Sequence, residues 1–281
     1  MEKEDILLQK RLSELSKTAH HRGITTFSDF LNLNEFQLFH RMPEKMIYSP
    51  VFLHGGYSAA ERRMAAFVPP EVIERLHLDE KQFYPAIEYN SDSNSDENIN
   101  LIASILDFPI SCLTLRPLQL KFAEKLTHRD YLGALLNLGI ERNKTGDILV
   151  SEDQTHLFID TGLSQFVCDN LTRVRHTNIS VTISETTSFE YEPRFESLTG
   201  NVASIRLDSL VGLAFGLSRS KAALCIEDGK VFVNNRQIYS NGYKLREKDI
   251  ISLRGSGRFS YRGISAETRK GRYFVELYKY I

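Results

Sequence analysis

Apolar positions change period along the chain, and the changes mark out its elements. Ile6, Leu7, Leu8, Leu12 and Leu15 form a stripe at helical spacing, with Ser13, Glu14 and Lys17 among the polar positions. Gly23 is placed to stop that helix. A second, shorter helical pattern runs through Ser28, Asp29, Leu31, Leu33, Phe36, Leu38 and Phe39. Pro43, Pro50 and Gly55-Gly56 mark turns. Glu61 to Ala66 is expected to be a short helix closed by Pro69-Pro70, and Glu71 to Leu76 another. Phe83 to Tyr89 and Ile99 to Phe108 read as strands flanking an exposed polar loop from Asn90 to Asn98.

From Ser111 the order is regular. A strand (Ser111 to Arg116) leads to a helix (Arg129 to Leu138). Two strands follow (Asp147 to Ser151 and His156 to Asp160), then a helix (Leu163 to Leu171) and a strand (Asn178 to Ser184). This is the ferredoxin-like order, used by many RNA-binding modules and by many unrelated proteins. Glu185 to Gly200 is polar, contains Pro193 and reads as a linker. Beyond it, Arg206 to Phe215 and Arg219 to Asp228 read as two short helices. Ser218 suits the N-cap of the second, and Gly229 suits the residue beyond its end. Strands are expected at Lys230 to Asn234, Ile250 to Arg254 and Arg272 to Tyr278, with a tight turn at Asn234-Asn235. The expected fold is therefore α+β in three parts. Residues 1–75 form a helix-rich N-terminal region, residues 76–190 a ferredoxin-like (RRM-like) middle domain, and residues 201–281 two helices packed on a small, mostly β unit.

Composition adds bounds. The chain has 281 residues, 42% apolar and 25% charged, enough for a sizeable core in two or three domains. It contains no apolar run long enough to span a membrane, and its charged N-terminus lacks a signal-peptide pattern. Cys112, Cys168 and Cys225 are far apart, with no metal-ligand spacing. A cytoplasmic protein with reduced thiols, no metal and no cofactor is the expectation. The net charge of −1 hides a division. Val202 to Ile281 carry 15 Lys and Arg against 7 Asp and Glu, whereas the remainder carries 20 against 29. A basic segment on an acidic body favours a polyanionic partner.

The candidate chemistry sits in that basic segment. Arg219 and Lys221 lie in the first turn of a helix, where the macrodipole already disfavours cations. Free backbone N–H groups and cationic side chains converging there suit a phosphate. Arg206 starts the preceding helix; Lys230, Arg236, Arg254 and Arg258 come from the strands and turns that follow. Asn234 and Asn235 could donate to phosphate or 2′-hydroxyl groups. The alternative is an ordinary solvated basic surface. In the middle domain, His128 and Arg129 at a helix start, with Arg142 and Lys144 beyond its end, could flank a nucleic-acid backbone. They could equally be structural, with Asp130 paired to Arg129 or Arg142 and His128 capping the helix. His128-Arg129-Asp130 matches the start of a protein-kinase catalytic loop, but Leu135 stands where that loop needs asparagine. No P-loop, GxGxxG or GxSxG is present.

These residues carry a resemblance. Arg206-Leu207-Asp208, Ser218-Arg219 with Ala222, then Ile226, Gly229, Val231, Val233, Asn234 and Asp249-Ile250-Ile251 resemble the S4 domain pattern. His54-Gly-Gly-Tyr57 with Glu61-Arg62-Arg63, and His128 to Ile140 with Arg142 and Gly146-Asp-Ile148, resemble signatures of the bacterial YlmH family. The resemblance implies that the S4 domain docks on structured RNA through Arg206, Ser218, Arg219, Lys221, Lys230, Asn234 and Arg236. It implies no enzyme, and ribosomal RNA of the large subunit and tRNA as partners in rescuing stalled translation. Quality-control or cell-division proteins are further implied partners. The competing readings are an RNA-modifying enzyme of the S4-containing class and a cell-division scaffold.

Overall fold

A computed structural model describes residues 3–79, 82–83, 96–184, 195–234, 236–268 and 271–280. The chain divides into two compact units, Met1–Tyr191 and Glu192–Ile281.

The first unit opens with α1 (Lys3–Arg22), β1 (Thr26–Phe27) and α2 (Leu33–Arg41). Gly23, at φ +64°, ends α1 as expected. Two strands follow, β2 (Val51–His54) and β3 (Met64–Phe67), then α3 (Pro70–Arg75) and α4 (Asp96–Ile105). The three strands pair antiparallel in the order β1-β3-β2. β3 is buried on both faces: Ala65 and Phe67 meet Leu12, Ala19 and Phe39, while Met64 and Ala66 meet a second core with Phe52, Ile102 and Phe158.

That double burial explains one correction. Glu61 to Ala66 was expected to be helical, and it instead leads into β3, because strand pairing outweighs the helix preference of an Ala-rich run. A second correction is Ile99 to Phe108, expected to be a strand. Helix α4 covers most of it, with Ile102, Ala103 and Leu106 buried at helical spacing. A short apolar run rich in isoleucine satisfies either period. The strand expected at Phe83 to Tyr89 lies outside the described residues beyond Phe83, as do residues 90–95 of the expected loop.

The ferredoxin-like order is present. It comprises β4 (Ile110–Pro117), α5 (His128–Asn137), β5 (Thr145–Val150), β6 (Thr155–Asp160), α6 (Thr161–Asn170) and β8 (Thr177–Ser184), with a short β7 (Arg173–Val174) added. The sheet runs β5-β6-β4-β8-β7, every pair antiparallel. One face packs Leu113, Leu115, Leu157 and Ile159 against Tyr131 and Leu135 of α5 and Val167 of α6. The opposite face turns Ile110, Cys112 and Phe158 into the core shared with the N-terminal strands. Burial pushes the Cys112 thiol up to about 12, so it stays protonated.

The second unit contains β9 (Phe195–Val202), α7 (Leu207–Phe215), α8 (Arg219–Glu227), β10 (Val231–Val233), β11 (Arg236–Gln237), β12 (Ile250–Leu253), β13 (Gly257–Glu267) and β14 (Tyr273–Tyr280). Its six strands order β11-β10-β12-β13-β14-β9. Leu207, Leu210 and Val211 of α7, with Ala222 and Ile226 of α8, pack on Val231, Ile251, Phe259 and Val275. The stretch from Glu185 to Gly200 is not all linker, since residues 195–200 begin β9. That strand is mostly exposed, so no apolar alternation announces it. No single helix among the described residues is long and apolar enough to cross a membrane.

Candidate nucleic-acid interface

Helices α7 and α8 start side by side around one buried carboxylate. Asp208, 3% exposed, accepts from Arg206 at both oxygens (3.2 Å each), from Arg219 Nε (3.1 Å) and from the Ser209 hydroxyl (3.2 Å). Burial alone would raise its pKa, but the hydrogen bonds from both arginines prevail and hold the carboxyl below its usual range. Arg219 therefore has a local reason to tolerate the positive end of α8: its guanidinium reaches back to α7. The two arginines keep 38% and 67% of their side-chain surface exposed. They are oriented from within and open to solvent.

Ser218 caps α8, its hydroxyl accepting from the Lys221 backbone N–H at 3.3 Å, and Lys221 projects exposed from the first turn. Residues 240–244 close over the start of α7. There the Leu207 and Asp208 N–H groups donate to the Tyr243 and Asn241 carbonyls, and the Lys244 backbone pairs antiparallel with that of Arg206. An open groove of about 680 Å³ lies beside Arg206, with Lys244, Glu247, Tyr261 and Tyr273 among its walls. Lys244 escaped sequence reasoning because nothing in its local pattern pairs it with a residue thirty-eight positions earlier.

The other expected residues separate into small groups. Lys230 forms an exposed ion pair with Asp228 (2.8 Å), and its carbonyl accepts from the Arg254 N–H across β10 and β12. Arg258 on β13 lies over the Tyr280 ring at 4.3 Å. Arg236 is exposed on edge strand β11, at the opposite end of β10 from Lys230. Asn234 takes φ +48°; its amide donates to Asp249 (2.8 Å) and accepts from the Ile250 N–H (2.9 Å). It shapes the turn that carries Arg236, which is the left-handed role asparagine tolerates.

The middle-domain candidates divide more sharply. The Arg142 guanidinium donates to the carbonyls of Thr145 (2.9 Å) and Gly146 (3.1 Å) and to the Thr145 hydroxyl. Burial and the nearby Arg62 lower its pKa to about 10. Lys144 bridges Asp29 (2.8 Å) and Asp160 (3.0 Å). Both residues hold the fold. His128 and Arg129 are exposed on α5. Desolvation first, then Arg142 and other nearby cations, lower the His128 pKa, so it is neutral at pH 7. Asp130 pairs with neither Arg129 nor Arg142. It accepts from the Thr127 N–H (2.8 Å) and hydroxyl (2.7 Å) and forms an ion pair with Arg175.

The two N-terminal signatures meet each other. Asp147 accepts from the Tyr57 hydroxyl and the Glu61 N–H (2.8 Å each) and from the Arg62 N–H (3.1 Å). Arg62 in turn donates to the carbonyls of Thr145, Phe30 and Arg142. Tyr57 stacks on Phe158 with ring centroids 5.0 Å apart. In RRM-type sheets, aromatics on the central strands stack unpaired bases. Phe158 and its cross-strand partner Cys112 occupy such central positions here, and both are fully buried. The sheet face is already taken.

Comparison with known proteins agrees with this architecture. Residues 205–251 match the S4 domain, and residues 105–188 match the family described as "Putative RNA-binding domain in YlmH". The chain thus carries an S4 domain behind a domain of the YlmH type. Over 225 residues it is 27% identical to "Ribosome-associated protein quality control protein P2" of Bacillus subtilis (strain 168), spanning 79% of this chain and 74% of that protein. A solved structure, "Cell division protein ylmH from Streptococcus pneumoniae", superposes with a TM-score of 0.44 at 21% identity over 66% of this chain and 94% of that one. With both domains matched in this order, the chain is similar to the YlmH-like S4 RNA-binding proteins.

Proposed function

We propose that this protein docks on structured RNA of the large ribosomal subunit in quality control of stalled translation, with tRNA as a second contact. The observation that carries the reading is the pair Arg206 and Arg219, fixed on buried Asp208 and open to solvent. A guanidinium held in place loses less freedom on meeting a phosphate, and its remaining N–H groups donate to phosphate oxygens. Ser218 and Lys221 share the start of α8 with Arg219, and Lys244 lines the groove beside Arg206, while Lys230, Arg236, Arg254 and Arg258 extend positive charge along the sheet. Recognition is by backbone charge and RNA shape rather than base by base. The name of the Bacillus subtilis relative supports the ribosomal setting.

In this reading residues 201–281 are the anchor, residues 76–190 present a second surface, and residues 1–75 brace it. The protein acts by binding, without a chemical step, in the cytoplasm. The test is sucrose-gradient sedimentation of wild type and the Arg206→Ala/Arg219→Ala variant. Wild type travelling with free large subunits while the variant stays at the top supports docking. Co-sedimentation unchanged in the variant sinks it.

A further inference from the structure

The covered sheet face leaves the middle domain without the usual base-stacking platform, but one edge of the same domain offers another. The loop between β4 and α5 runs beside the β7–β8 hairpin: the Leu118 N–H donates to the Asn178 carbonyl (3.0 Å) and the Glu124 N–H to the Thr177 hydroxyl (3.1 Å). The ion pair of Arg175 with Asp130 ties the hairpin turn to the start of α5. Three elements thus meet at one edge.

Two properties coincide there. Phe122 is 76% exposed, the largest exposure among the described large apolar side chains, with Leu118 and Leu120 beside it in sequence at 64% and 57%. On the same three elements Lys121, Lys125, Arg129, Arg173 and Arg175 are all exposed, against the acids Glu124 and Asp130. Asp130 is engaged with Arg175 and Thr127. Arg175 itself takes φ +52°, unusual for a long side chain, and Arg173 Nε donates to its carbonyl at 2.7 Å. Lys121 Nζ lies 6.0 Å from the Phe122 ring centre.

An aromatic ring held out into solvent, with cations on its own loop and on the hairpin and helix that adjoin it, matches a stackable base on a phosphate backbone. An apolar peptide would bring no negative charge to these cations, and a duplex offers no free base face to Phe122. We propose that this edge is a second RNA-contact surface, which takes an unpaired RNA segment by stacking a base on Phe122 and holding its phosphates with Lys121, Lys125 and Arg173. It goes beyond the S4 docking reading and shares with it only the premise that the partner is RNA.

The full-length chain contains no tryptophan, so Phe122→Trp supplies a single indole whose fluorescence a stacked base quenches. The probe is a short oligoadenylate; a polyglutamate peptide of similar charge is the control. Quenching by oligoadenylate, weakened about ten-fold in affinity when Lys121→Glu and Lys125→Glu are added, supports the surface. In otherwise wild-type protein, Phe122→Ala and Phe122→Leu should each weaken oligoadenylate binding about ten-fold, whereas Phe122→Tyr retains it. No quenching, or quenching by polyglutamate alone, overturns the proposal, the latter in favour of an acidic peptide. Quenching that survives Arg206→Ala/Arg219→Ala shows a surface independent of the anchor. Its loss in that variant would reduce the edge to an extension of the S4 site and overturn its independence. If those two substitutions leave ribosome binding intact while quenching persists, the docking reading falls and the edge surface stands.

Discussion

Asp208 performs two tasks at once, and they separate by experiment. Its carboxylate neutralises part of the charge of Arg206 and Arg219 while fixing where they point. A purely electrostatic surface gains RNA affinity when a negative charge is removed. A positioned surface loses it, because the freed side chains must be ordered again on binding. Asp208→Asn is therefore expected to weaken RNA binding a few-fold despite the added net positive charge, measured by titration at constant salt. The arginines are largely exposed, so the stability cost is small, about 1 kcal/mol. Because the folded-state pKa of Asp208 is lowered, its contribution is present above the unfolded carboxylate value near ~4 and is lost as pH falls through the lower folded value. His54 behaves differently. Buried and close to Arg63, its pKa falls to about 4, so the unfolded state binds more protons between there and the ordinary histidine range. Stability of the first unit is expected to fall by roughly 3 kcal/mol from pH 7 to pH 4, and His54→Phe should flatten that slope in urea titrations.

Elements explain why the signature around Gly55-Gly56 reads as chemistry in the sequence and as architecture in the fold. Gly56 sits at φ +98°, and a Cβ there would lie 2.3 Å from Phe158. Gly56→Ala is expected to destabilise the protein by more than about 2 kcal/mol, seen as a lower urea midpoint with an unchanged slope. Arg62→Ala would remove the donor that three carbonyls share and leave Asp147 less compensated. A loss of about 3 kcal/mol is expected, and Arg62→Lys, with its single ammonium, should not restore it. Local pattern sufficed where an apolar run is bounded by clear turn signals, even with both faces buried, as in β4 and β6. The strands and helices from Ile110 to Ser184 follow the expected order, as do α7 and α8 with the Ser218 cap. It failed where an Ala-rich run fits a helix as well as a strand, as in β3, where the strand is mostly exposed, as in β9, and where a short run such as Ile99 to Phe108 fits both periods. Among site residues, Arg206 and Arg219 were visible from their helix starts. The structural use of Arg142 and Lys144 was not, because their partners Thr145, Asp29 and Asp160 are matched only by tertiary packing. Phe122 carried no signal, since exposure of a single aromatic in a polar loop has no period.

At the scale of the whole chain, the division of charge predicts the form of binding. The positive surplus lies in the C-terminal segment, so RNA affinity should fall steeply with salt. Removing Arg206 and Arg219 should reduce the magnitude of the log–log salt slope by about 2, whereas Phe122→Ala should lower affinity with the slope nearly unchanged. The plugging of the middle sheet by Tyr57 also bears on how this protein is divided in the laboratory. A fragment cut to residues 105–188 would uncover Phe158, Ile110 and Cys112 together and strip Asp147 of the donors from Tyr57, Glu61 and Arg62. Such a fragment gains a greasy, RRM-like face that the intact chain never shows. It is expected to self-associate, and any RNA it captures through that face would be an artefact of excision.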